Sequence, residues 1–146
     1  MKFIEWNDTK KLINIYGIAA GMAYLHSNNI VYSDIKPDNI LIDDYLFPKI
    51  IDFGLSKNLD YSNTTIATGT LIYMAPEILE ADCNNEIDIN SNHEKSSDVY
   101  SFAITMYEIV TNLIPYRQIK QSIKIAFEVM NKKRPDFREP ILDCYR

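Results

Sequence analysis

Residues 31–55 read VYSDIKPDNILIDDYLFPKIIDFGL, and the fold turns on this stretch. Ile40-Leu41-Ile42 and Lys49-Ile50-Ile51 are short apolar runs on either side of Asp43-Asp44-Tyr45, the pattern of two strands joined by a turn. Their pairing would set Asn39 beside Asp52. Asp34 lies five residues before Asn39, with Lys36 between them. One end of a small ribbon thus gathers two carboxylates, an amide and an ammonium group.

Such a set suits phosphoryl transfer. The charge of the transferred group has to be neutralised and its nucleophile aimed in line, so a protein contributes positioning and electrostatics rather than covalent steps. Mg²⁺ takes hard oxygen ligands in an octahedron and keeps several waters and the nucleotide phosphates. Asp52 and the amide oxygen of Asn39 answer that demand. Asp34 is left to face an incoming hydroxyl, and Lys36 to point a cation at the same phosphates.

The residues also resemble a known family. Tyr32-Ser33-Asp34-Ile35-Lys36-Pro37-Asp38-Asn39 is similar to the loop H-R-D-L-K-P-x-N of eukaryotic protein kinases, Asp52-Phe53-Gly54 to D-F-G and Ala75-Pro76-Glu77 to A-P-E. One such match would be weak; three in order at this spacing are specific. The resemblance implies the large C-terminal lobe of a serine/threonine-type kinase, similar to the tyrosine-kinase-like group. That fold is mainly α with a short β-hairpin, an α+β kinase fold with the N-lobe absent, and it takes in residues 1–146. In those terms 31–39 is the catalytic loop, 52–77 the activation segment, about 80–96 an insertion and about 97–111 a central buried helix. ATP and Mg²⁺ are the implied cofactors, and a protein Ser or Thr hydroxyl the implied acceptor. Asp34 would take the hydroxyl proton, Lys36 would meet the γ-phosphate, and Asn39 and Asp52 would hold the metal. Leu41 would form the floor of the adenine site, and Thr70 would orient Asp34 and Lys36. Lys36 speaks for serine/threonine specificity, since tyrosine kinases usually place Ala or Arg near it.

Composition bounds the rest. A chain of 146 residues, 47% of them hydrophobic, is globular with room for one domain. Fifteen basic and twenty acidic residues give a net charge of −5, so no basic field suggests nucleic acid or anionic lipid as a partner. Cys83 and Cys144 stand without metal-ligand neighbours and read as reduced thiols. No apolar run has the length of a membrane span, and the opening MKFIEWNDTKK is too polar for a signal peptide. A cytoplasmic protein is expected.

Upstream of the ribbon, Asn7 or Asp8 can cap a helix whose apolar stripe is Leu12, Tyr16, Ala19, Ala20 and Ala23, ending near His26. Gly17 and Gly21 would each weaken it by about 1 kcal/mol relative to Ala, so another element is expected to pass close to them. His26, at the helix end, reads as a structural capping residue rather than a base. Downstream, residues 55–74 are rich in hydroxyls and suit a mobile segment, in which Ser56, Ser62, Thr64, Thr65 and Thr68 are candidate modification sites. The stretch ILEADCNNEIDINSNHEKSS, residues 78–97, reads as a solvated loop, and Cys83 and His93 in it as loop residues rather than metal ligands. Ser97 is expected to cap a nearly all-apolar, buried helix from Asp98 to Val110. In the family the first Asp of that helix, here Asp98, anchors the catalytic loop. Residues 118–132 suit a surface helix.

Several positions depart from the family pattern. The four glycines are Gly17, Gly21, Gly54 and Gly69, so no G-x-G-x-x-G is present, nor the strand Lys that grips the α- and β-phosphates. These residues alone are therefore expected to bind Mg·ATP weakly, with an N-lobe or another protein partner completing the site. Glu77 is expected to lack the late arginine that pairs with it in the family. Tyr32 stands for His, with a ring able to stack on Phe53. Ser33 stands for Arg (a non-RD loop), so a phosphate on Thr64 or Thr65 would meet no guanidinium there. Two other readings compete. A non-catalytic, kinase-derived interaction or scaffold protein is favoured by the missing triphosphate grip and opposed by the retention of Asp34 and Asp52. A small-molecule phosphotransferase is opposed by Ala75-Pro76-Glu77.

Overall fold

The computed structural model describes residues 6–58, 71–84 and 91–136. Asn7 is extended and its side chain accepts from the Lys10 amide at 3.0 Å, which starts α1 (Asp8–Ser27). The helix buries Lys11, Asn14, Ile18, Met22 and Leu25, not the stripe expected from sequence. Leu12 and Tyr16 of that stripe are 39% and 77% exposed. Three alanines bring little apolar area to a core, whereas Ile18, Met22 and Leu25 bring much more, and they meet Tyr32 and Ile35. The same roll lets the Lys11 ammonium donate to the Val110 carbonyl at 2.8 Å, near the negative end of a partner helix.

Four short strands follow in two antiparallel pairs: β1 (Ile30–Val31) with β4 (Lys57–Asn58), and β2 (Ile40–Ile42) with β3 (Pro48–Ile50). In the second pair Ile40 faces Ile50 and Ile42 faces Pro48. The turn between them is tied by Asp43, whose carboxylate accepts from the amides of Tyr45 and Phe47 at 2.9 and 3.0 Å. The Phe47 amide, with Lys49 and Tyr45 in support, holds the Asp43 carboxyl below the usual aspartate range. The ribbon lies on α1. Pro48 passes so close to Gly17 that a Cβ there would sit 2.5 Å from the proline ring, and Ile50 stands 3.1 Å from where a Gly21 Cβ would be. The close approach expected from the two helix glycines is real, and it is the ribbon that makes it.

Helices α2 (Pro76–Asn84), α3 (Ser91–Thr111) and α4 (Ser122–Met130) complete the described chain. Leu79, Tyr116, Ile125, Ala126 and Val129 form a second core, apart from the one under α1. Three further expectations need correction. The expected loop over about 80–96 is partly helical: residues 80–84 belong to α2 and 91–96 to α3, with Glu94 only 7% exposed. Ser97 lies inside α3, which starts six residues earlier, and its hydroxyl donates to the Glu94 carbonyl at 2.7 Å instead of capping. Nor is α3 buried through its apolar residues alone. Its most buried side chains include Glu94, Ser97, Asp98, Ser101 and Thr105, each bonded to another group, while Val99 is 55% exposed.

Gly17→Ala tests the helix–ribbon contact. Helix propensity favours Ala by about 1 kcal/mol, but overpacking against the Pro48 ring costs typically 1–3 kcal/mol. The expected outcome is a net loss of stability, read as a lower urea midpoint.

Candidate active site

The loop from Tyr32 to Asn39 hangs from one buried carboxylate. Asp98, 1% exposed, accepts from the amides of Tyr32 and Ser33 and from the His26 imidazole, each at 2.8 Å. Three donors compensate an anion that burial would otherwise make costly. They also hold Ser33 at φ 71°, a left-handed conformation that non-glycine residues adopt only when their surroundings impose it. His26 therefore links α1 to α3. Its carbonyl in turn accepts from the Lys95 ammonium at 2.9 Å. Nothing in the sequence near His26 signalled a partner 72 residues away.

Tyr32 ties the loop to the far end of the ribbon. Its hydroxyl donates toward the carbonyls of Ile51 and Asp52, the latter at 3.0 Å, and its ring meets Phe53 edge-on at 5.4 Å. Burial above all, then the Asp34, Asp52 and Asp98 carboxylates, push this phenol up to about 12.

The acidic and amide groups then converge. Asp34 Oδ2 accepts from Lys36 Nζ at 2.7 Å and from Asn39 Nδ2 at 2.8 Å, and the same amide nitrogen reaches the Asp34 carbonyl at 2.9 Å. Asn39 is 7% exposed, and its backbone carbonyl accepts from the Ile51 amide at 3.0 Å, one residue before Asp52. Asp52 is exposed, takes φ 58° and receives the Gly54 amide at 3.2 Å. Leu41 is 56% exposed on β2. Thr70, the remaining candidate, lies outside the described residues, as do Ser62, Thr64, Thr65 and Thr68.

For a divalent ion the donor set fits. With its nitrogen committed to Asp34, Asn39 has its amide oxygen left for a cation, and Asp52 offers an exposed carboxylate across the ribbon. Among the described residues no three His, Cys, Asp or Glu groups cluster as a self-sufficient metal site. That suits an ion held largely by water and phosphate oxygens.

Behind the loop, Ser33, Lys57, Ala75, Glu94, Ser97 and Ser101 line a cavity of about 30 Å³, room for a water or two. The Lys57 ammonium meets the Glu94 carboxylate there at 3.2 Å. Nearby, the Tyr73 hydroxyl donates to Glu108 at 2.7 Å and the Tyr73 carbonyl accepts from Ser101 at 2.7 Å, which fastens residues 71–75 to α3. Glu77 has a described neighbour, the Ser96 hydroxyl at 3.4 Å.

Comparison with known sequences then decides the family: the protein kinase domain matches residues 2–141. The chain belongs to the protein kinase family. A probable serine/threonine-protein kinase of Dictyostelium discoideum is 33% identical over 140 residues, covering 94% of this chain and 10% of that protein. Developmentally-regulated protein kinase 1 of the same organism is 40% identical over 116 residues, 79% of this chain and 15% of that protein. A protein kinase and PP2C-like domain-containing protein of Arabidopsis thaliana is 38% identical over 133 residues, 77% and 19% respectively. The chain thus spans between about a tenth and a fifth of the length of these curated kinase relatives. Among the described residues no helix is long and apolar enough to cross a membrane.

Two variants test the loop's attachments. Asp98→Ala leaves the His26 ring and two amides without their acceptor, and a loss of roughly 3–5 kcal/mol is expected in chemical denaturation. Tyr32→Phe removes a phenol that ionises near 10 when unfolded and near 12 when folded. Its contribution to stability is present below pH 10 and is lost as pH rises toward 12. The variant should therefore show a shallower alkaline loss than the parent over that window, measured as unfolding midpoint against pH.

Proposed function

We propose that this chain is the catalytic lobe of a protein serine/threonine kinase, similar to the tyrosine-kinase-like group, acting on a protein hydroxyl with Mg·ATP. The single observation that carries the reading is the convergence of Lys36 and Asn39 on one oxygen of Asp34, with Asp52 next to the Ile51 amide that bonds the Asn39 carbonyl.

Asp34 is held by two donors with its carboxylate partly open to solvent, in a position to accept the proton of an entering Ser or Thr hydroxyl. Lys36 neutralises charge on the γ-phosphate side, and Thr70 orients the pair. Asn39 and Asp52 would hold Mg²⁺, which when bound neutralises the nucleotide phosphates. Leu41 would underlie the adenine ring, its exposure consistent with a face that another part of the enzyme covers. An N-lobe or another protein partner, supplying the glycine-rich loop and strand Lys, would complete the nucleotide site. Activation by a phosphate on Thr64 or Thr65 is weak, because Ser33 has no guanidinium and Lys57 is already paired with Glu94 in a cavity of water size. The protein works in the cytoplasm.

The test is phosphate transfer to a Ser/Thr peptide by this lobe supplied with an N-lobe. Asp34→Asn should lower kcat by roughly 10²–10⁴ with little change in nucleotide affinity. Asp52→Ala should instead abolish metal-dependent nucleotide binding. Nucleotide and peptide binding without any transfer by the parent protein would favour the scaffold reading.

A further inference from the structure

Side chains from the first two turns of α3 hold the short strand β1 from several sides. Glu94 accepts from Lys57 on β4 at 3.2 Å, and Lys57 stands opposite Val31 in the β1–β4 pair. Asp98 takes the amides of Tyr32 and Ser33, just past the strand. Lys95 reaches the strand's other end. Its ammonium donates to the His26 carbonyl at 2.9 Å and to Asn29 Oδ1 at 3.1 Å, on the residue immediately before β1.

The point that Lys95 grips is where the chain changes direction. Helix α1 ends at Ser27, the Asn29 amide bonds the same His26 carbonyl at 3.2 Å, and Asn29 turns left-handed at φ 55° before β1 runs on to Tyr32. The last carbonyls of a helix have no intrahelical donor and carry partial negative charge, so a cation is favourable there. Asn tolerates the left-handed backbone, but its tolerance does not set the angle at which the strand leaves. One ammonium that spans the helix end and the left-handed residue does. Lys95 and Asp98 are three apart on α3 and so lie on one face, where the first takes the carbonyl of His26 and the second its imidazole.

Asp98 holds the backbone of the Tyr32–Asn39 loop directly, whereas Lys95 fixes the direction from which that backbone arrives. We propose that Lys95 is a positioning residue for phosphate transfer: it sets the turn between α1 and β1, and through it the place of Tyr32, Ser33 and the Asp34 carboxylate. The proposal rests on the reading of Asp34 as proton acceptor. A misplacement of about 1 Å caused far from the reacting atoms can cost roughly a hundredfold in rate, which is how a residue at this turn comes to matter. Both acceptors of Lys95 are neutral oxygens, so the role calls for a donor of sufficient reach, and Arg can fill it.

The experiment compares Lys95→Met, which keeps the length and loses the donor, with Lys95→Arg. In the 146-residue chain, amide hydrogen exchange followed by NMR should show Tyr32 and Ser33 exchanging roughly tenfold or more faster in Lys95→Met, with the α4 amides of Ile125 and Val129 unchanged. In the lobe supplied with an N-lobe, Lys95→Met should lower kcat roughly tenfold to a hundredfold while the KM values for ATP and peptide stay within about twofold. Lys95→Arg should restore most of both. Unchanged exchange at Tyr32 and Ser33 overturns the proposal, and so does equal acceleration of the α4 amides, which would make Lys95 a general stabilising residue. An unaltered kcat beside a transferring parent overturns it as well. If the parent itself transfers no phosphate while the local exchange changes as expected, the reading of Asp34 fails and the part played by Lys95 in placing the loop stands.

Discussion

A buried aspartate cannot be left to itself. Asp98 is almost wholly removed from water, and the structure around the site is the set of donors that makes this tolerable: an imidazole from α1 and two consecutive amides from the loop. Because the acceptor has only two oxygens, the three donors must arrive from fixed directions. That requirement joins the end of α1, the start of the Tyr32–Asn39 loop and α3 at one point. It also accounts for the left-handed Ser33, a conformation the chain would not choose in isolation.

From that point the loop's other end is set by Tyr32 and the ribbon. The phenol bonds the backbone on the far side, the ring braces Phe53, and the β2–β3 pairing brings Asn39 against Ile51. Asp34, Lys36 and Asn39 then have little freedom, since each restrains the next. The geometry is of the kind that electrostatic catalysis needs, with charges placed before a substrate arrives.

The ribbon and the residues at its mouth were legible in the sequence because period, turn chemistry and spacing act over few residues. The strands about Ile40 and Ile50, the Asn7 cap and the crowded glycines of α1 are all local signals. The expected anchoring of the loop by Asp98 is also found, whereas the face of α1 and the start of α3, which distant partners decide, were not legible. The face of α1 was misjudged because Lys11 and Asn14 count as polar, yet Lys11 is buried once the Val110 carbonyl accepts from it. The start of α3 was placed too late for a similar reason. Ser97 looks like a cap by residue type, while the polar run before it becomes helical where Glu94 meets Lys57 and Lys95 meets His26. His26 reads from sequence as a capping residue at the helix end, yet its ring bonds Asp98, 72 residues further on.

The bare backbone at Gly17 has a mechanical meaning. Where Pro48 rests directly on the helix, no side chain lies between them to bend or rotate, and close-packed atoms compress very little. The first helix and the two-stranded ribbon therefore meet with no flexible side chain of the helix between them at this point. A shift of that helix, whose outer surface carries the solvent-facing Tyr16 and Tyr24, would press on the ribbon through this contact.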